Sequence, residues 1–109
     1  MATIEDFERL DIRVGKIISC EEFLKAKKPA YKLKIDFGPL GIKNSSAQIT
    51  KLYKKENLIG KQIIAVVNFP PRKIADFASE VLVLGAVESD GKVILLQPER
   101  ETELGAKIA

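Results

Sequence analysis

The chain has 109 residues, 46% hydrophobic and 30% charged, a size and balance that fit one domain over residues 1–109 with a core of its own. It holds no histidine and a single cysteine, Cys20, which excludes Ser–His and Cys–His nucleophile pairs, histidine zinc sites, CxxC redox chemistry and internal disulfides. The net charge of +3 is unevenly spread: residues 25–73 carry twelve basic side chains against Asp36 and Glu56, while acidic residues dominate before and after, so a positive face for phosphates or acidic peptides is expected.

In chain order, Thr3 reads as the N-cap of a two-turn helix through Ile4, Phe7 and Leu10, with Glu5 and Asp6 in its first turn. So short a helix needs a surface to dock on. The acidic, amphipathic MATIEDFERLDIR is unlike a secretory or mitochondrial leader. With one unpaired cysteine and no apolar run near the ~20 residues of a spanning helix, a cytoplasmic protein without membrane insertion is expected. Residues 12–19 read as a strand in which Gly15 marks a bulge or a close approach. Residues 25–29 form a loop ending at Pro29. Residues 31–37 alternate Tyr31, Leu33, Ile35 and Phe37 with Lys32, Lys34 and Asp36, the pattern of a half-buried strand.

GPLG at 38–41 is turn chemistry, and residues 42–49 read as a more polar strand with Lys43, Ser45, Ser46 and Gln48. Residues 50–59 suggest an inserted helix with Leu52, Leu58 and Ile59 inward, ended by Gly60. The apolar runs 63–67, 81–87 and 93–96 read as strands buried on both faces or closing a barrel, the last two joined by an SDG turn at 89–91. The fold class expected is all-β: an OB-type, five-stranded Greek-key barrel with a short N-terminal and an inserted helix. An SH3-like barrel or a sandwich shares the pattern.

Chemistry concentrates in NFPPRK at 68–73. Asn68 and Phe69 offer an amide and a ring, and the proline pair puts Arg72 and Lys73 on a rigid base. Phe69, Phe77 and Tyr53 could stack on a base or line an apolar groove. Cys20 reads as a small buried hydrophobe. Glu99, Glu101 and Glu103 alternate in the tail without further ligands, so neither a metal nor another cofactor is expected. A binding module is favoured over an enzyme.

DIRVGKI at 11–17, YKLKIDFG at 31–38, GKQIIAVVNFPPRK from Gly60 and SEVLVLGA at 79–86 together resemble the tRNA-binding domain family, over essentially the whole chain. The acidic N-terminal helix and the LQPERETELGAKIA ending resemble its short, stand-alone branch of secretion chaperones. Where the wider family has His-Pro-x-Ala-Asp, this chain reads Lys28-Pro29-Ala30-Tyr31-Lys32; where it has Ser-x-Gly-Met, this chain reads Ser79-Glu80-Val81-Leu82. Both departures resemble that branch. The resemblance implies an OB barrel and a homodimer joined through its terminal segments, with Ile4, Phe7, Leu10 and Ile108 as contacts. It also implies a chaperone for unfolded or presecretory polypeptides, in touch with export machinery, or a stand-alone tRNA-binding protein. On either reading the contact surface expected is Lys32, Lys34, Lys43, Ser45, Gln48, Asn68, Phe69, Arg72, Lys73 and Ser79.

Overall fold

A computed structural model describes residues 1–109. Helix α1 (Ile4–Glu8) opens the chain on a capping box: Thr3 Oγ1 accepts from the Asp6 amide at 3.3 Å, and Asp6 Oδ2 accepts from the Thr3 amide at 2.9 Å. Four strands follow, β1 (Ile12–Glu22), β2 (Tyr31–Asp36), β3 (Ile42–Ala47) and β4 (Gln62–Val66), with helix α2 (Lys55–Leu58) between the last two. Then come the hairpin β5 (Arg72–Ile74) and β6 (Phe77–Ser79), the short β7 (Leu82–Val83), and the hairpin β8 (Gly85–Val87) and β9 (Val93–Leu95). The main sheet is antiparallel in the order β3-β2-β1-β4-β7.

This sheet curls into a nearly closed barrel of the OB type. Strand β1 makes the curl possible because its two halves serve different partners. Residues 12–16 pair with β4, and residues 16–22 pair with β2 across an irregularity between Ile17 and Ser19. Bulges of this kind increase local twist and let a strand turn a corner. The seam is held by few bonds: Ser45 Oγ donates to the Val81 carbonyl at 2.8 Å, the Ser46 amide to Ser79 Oγ at 3.0 Å, and the Glu80 amide to the Asn44 carbonyl at 2.8 Å.

The β2 alternation holds as the sequence predicts: Tyr31, Leu33, Ile35 and Phe37 are all buried and join Ile17, Leu58 and Ile63 in the core. Gly15 is the expected close approach. A Cβ there would stand 2.6 Å from both Ile35 Cγ2 and Phe37 Cε1, so only a bare backbone lets the Phe37 ring cross β1.

Two expectations are corrected. The 50–59 helix is one turn, Lys55–Leu58, preceded by a turn at 50–52, and Leu52 and Ile59 are exposed while only Leu58 is buried. Tyr53 explains this. Its carbonyl accepts from Tyr31 Oη at 2.8 Å and its hydroxyl accepts from the Leu95 amide at 3.0 Å. With Tyr53 so held the chain runs extended at Lys54 (φ −92°, ψ 151°), which separates a single turn, closed by the Tyr53 amide on the Ile49 carbonyl at 3.4 Å, from α2. The 81–87 run breaks at Leu84 into β7 and β8, because the Leu84 amide donates to Ile64 while its carbonyl accepts from Leu96. Leu82 and Val87 keep a solvent-facing side, so these strands close the barrel and are not buried on both faces. No helix is long and apolar enough to cross a membrane.

Candidate functional site

Strand alternation sorts the basic residues of β2 and β3 onto two faces. Lys32 and Lys34 point outward beside Ser46 and Asn44, their register partners on β3. Lys34 Nζ donates to Asn44 Oδ1 at 3.4 Å. Lys43 and Ser45 pair with Ile35 and Leu33 and therefore share the inward face. Ser45 is fully buried, its hydroxyl taken by the seam.

The β5–β6 hairpin lies over the outward face. Phe77 meets Phe23 edge-on with ring centroids 5.4 Å apart. Lys32 Nζ stands 4.9 Å from the Phe23 centroid and 5.4 Å from that of Phe77, a cation–π contact to both rings. Between hairpin and sheet is a cleft of about 300 Å³ where Lys34 and Asn44 face Glu21 and Phe77. On the other side of the hairpin, Lys25, Lys27, Lys28 and Arg72 surround a second cleft of about 380 Å³ with Ser46 and Gln48. Arg72 and Ile74 also border a third hollow of about 280 Å³, walled by Phe69, Pro70, Val81 and Leu82. The second and third share Ser46, Arg72 and Ile74 and so form one surface, with cations at one end and apolar side chains at the other.

The hairpin is fastened at its tip. Lys25 Nζ donates to Asp76 Oδ2 at 2.9 Å. That bond and the lysine's charge hold the Asp76 carboxyl below the usual carboxylate range, and they raise the Lys25 ammonium in turn.

Of the residues predicted from sequence, Lys32, Lys34, Gln48, Phe69, Arg72 and Ser79 come together around this hairpin. Lys73 does not: paired with Ala78, it lies on the opposite hairpin face from Arg72 and Ile74. Asn68 spends its amide on the backbone, accepting from Asp11 N at 2.9 Å and donating to the Arg9 carbonyl at 2.8 Å. Tyr53 is likewise committed to the core network. Sequence reasoning passed over Phe23, Lys27, Lys28 and the Lys25–Asp76 pair. The signal was the KAKKP run at 25–29, a cation-rich loop of the kind that carries function.

A separate hollow of about 410 Å³ gathers Ile4, Phe7, Leu10 and Ile108 at the chain's two ends. The Ile108 amide donates to the Ile12 carbonyl at 2.9 Å, which lays the tail along β1. No three Cys, Asp or Glu side chains cluster to hold a metal ion.

Cys20 is half-buried, and desolvation pushes its thiol from 9.0 up to about 11, with Lys55 opposing and Glu56 and Glu21 reinforcing. At pH 8 this leaves roughly a hundredfold less thiolate than at 9.0, partly offset by the higher intrinsic nucleophilicity of a more basic thiolate. Disulfide exchange with an aromatic disulfide reagent should therefore run about tenfold slower than with a small free thiol. A rate equal to that thiol's would show Cys20 to be unshielded.

The model of the putative tRNA binding domain family matches residues 12–107. The crystal structure of the chaperone CsaA of Bacillus anthracis str. Ames superposes with a TM-score of 0.96 at 59% identity, covering 100% of this chain and 99% of that one. The CsaA chaperone protein of Picrophilus torridus gives 0.94 at 62% identity, with 100% of both chains covered. A methionine–tRNA ligase of Methanococcoides burtonii is 39% identical over 108 residues, 99% of this chain, of which the chain spans 16%. The sequence-based resemblance to the family and to its chaperone branch is thereby borne out.

Proposed function

The chain belongs to the putative tRNA binding domain family, and from that premise we propose that it is a homodimeric, cytoplasmic chaperone of the CsaA type. It holds unfolded or presecretory polypeptides and hands them to export machinery; it is a binding module and not an enzyme. The observation that carries this reading is the hollow of Phe69, Pro70, Ile74, Val81 and Leu82 bordered by Arg72. Apolar walls beside a cation suit an extended polypeptide whose hydrophobic and acidic side chains are both exposed before folding. The full-length likeness to two CsaA chaperones supports it further.

A second reading, tRNA binding on the same face, is favoured by the family match and by the four cations of the neighbouring cleft, Lys25, Lys27, Lys28 and Arg72. Those side chains would meet phosphates, while Phe69 offers a ring to an unstacked base. Titrating an unfolded presecretory polypeptide and a tRNA across a salt series separates the two. Polypeptide affinity should change little with salt, whereas tRNA affinity should fall steeply. A polypeptide that fails to bind at any salt would remove the chaperone reading.

The homodimer is proposed through the terminal hollow. Ile4 and Phe7 sit on a helix with no buried residue, which an isolated chain would leave wet. Phe7→Asp should convert a sedimenting dimer to monomer at micromolar concentration. A monomeric parent under the same conditions would refute the assembly.

A further inference from the structure

The cation-lined cleft contains no acid of its own, but one reaches it from the hairpin. Ala75 and Asp76 form the turn between β5 and β6, and Ala75 has φ +54°, the one non-glycine residue of the chain at positive φ. An L-residue adopts this left-handed geometry at a cost. The turn thereby aims Asp76 at Lys25, one of the four cations around the cleft. The Lys25 and Asp76 side chains keep 69% and 62% of their surface in solvent, so their pair is weak and open to exchange. A phosphate arriving at Lys27, Lys28 and Arg72 would find the fourth cation already engaged by a carboxylate.

We propose that Asp76 is an autoinhibitory internal anion: it occupies Lys25 in the resting protein and is displaced when the phosphates of a nucleic-acid backbone enter the cleft. This rests on the second reading above, the binding of tRNA. Removing the carboxylate should tighten binding, and it should do so only while Lys25 is present.

A double-mutant cycle tests this, read by titrating a single-stranded oligoribonucleotide at low salt against the parent, Asp76→Asn, Lys25→Gln and the double variant. Asp76→Asn is expected to bind about fivefold more tightly than the parent, and the same change in the Lys25→Gln background to gain less than about twofold. Equal gains in both backgrounds would mean that Asp76 acts only through its long-range field, overturning the proposal. Weaker binding by Asp76→Asn would make the pair a structural brace, which also overturns it. An acidic peptide titrated in parallel should gain less; a gain confined to the peptide would overturn the assignment to phosphate. If the parent binds the oligoribonucleotide and Asp76→Asn gains nothing, the inference alone fails. If no variant binds it, the nucleic-acid reading fails as well.

Discussion

Phe37→Ala should lower the free energy of unfolding by about 3–5 kcal/mol, the range for deleting a fully buried aromatic ring. Phe37 has no solvent-accessible surface and lies against the bare backbone of Gly15. The neighbouring backbone is closely packed. A Cβ on Gly105 would stand 2.6 Å from the Phe37 carbonyl, and one on Gly38, at φ +63°, would stand 2.6 Å from the Leu104 carbonyl. The barrel floor therefore has little room to collapse into a vacated ring site, which places the cost toward the upper end of that range. Urea unfolding monitored by circular dichroism measures it. A loss below about 1 kcal/mol would show that the floor relaxes freely.

Reversing Lys27, Lys28 and Arg72 together to glutamate should weaken tRNA binding by about a hundredfold or more at low salt. Each substitution removes a charge-assisted phosphate contact and adds a repulsion. The slope of log affinity against log salt should become shallower by about two, near 0.7 for each of three phosphate contacts to a single strand. Circular dichroism should be unchanged, since all three side chains are exposed and exposed positions tolerate reversal. Lys34→Glu should act in the same direction and more weakly. Lys32→Glu carries an additional cost, because its ammonium also faces the Phe23 and Phe77 rings. Polypeptide affinity, carried by the apolar hollow, should respond far less. A triple variant that binds tRNA like the parent would reduce these cations to solubilising charges.

Legibility from sequence followed the range of the forces involved. The β2 strand was readable because a two-residue period is local, and the Thr3 cap because its partner is three residues away. Gly15 was readable as a close approach, but its partner, Phe37, was not. The inserted helix was overextended because Tyr53 is bound by Tyr31 and Leu95, contacts over more than twenty residues that no local window contains. The site shows the same division. Charge density singled out the right part of the chain, while strand register decided which side chains face outward, turning Lys43 and Ser45 inward and Lys32 and Lys34 outward. Asn68 has the chemistry of a ligand-binding amide, and only the approach of Arg9 and Asp11 shows that it ties the end of β4 to the start of β1.

The thinly bonded seam sets an order of assembly. The β1–β2 and β2–β3 pairings join neighbours in sequence, whereas Asn44 must find Glu80, and Ser45 must find Val81, across 36 residues. Closing so long a loop costs entropy before any contact rewards it, so the β1–β3 meander is expected to form before the barrel is shut. The same asymmetry operates in reverse. Opening of the native state is expected first between β3 and residues 79–81, where side chains replace a continuous ladder, and amide hydrogen exchange should be faster there than in the β1–β2 ladder. The hairpin bearing Arg72 and Asp76 ends at that seam. The part of the molecule that carries the proposed binding surface is thus also the part expected to yield first.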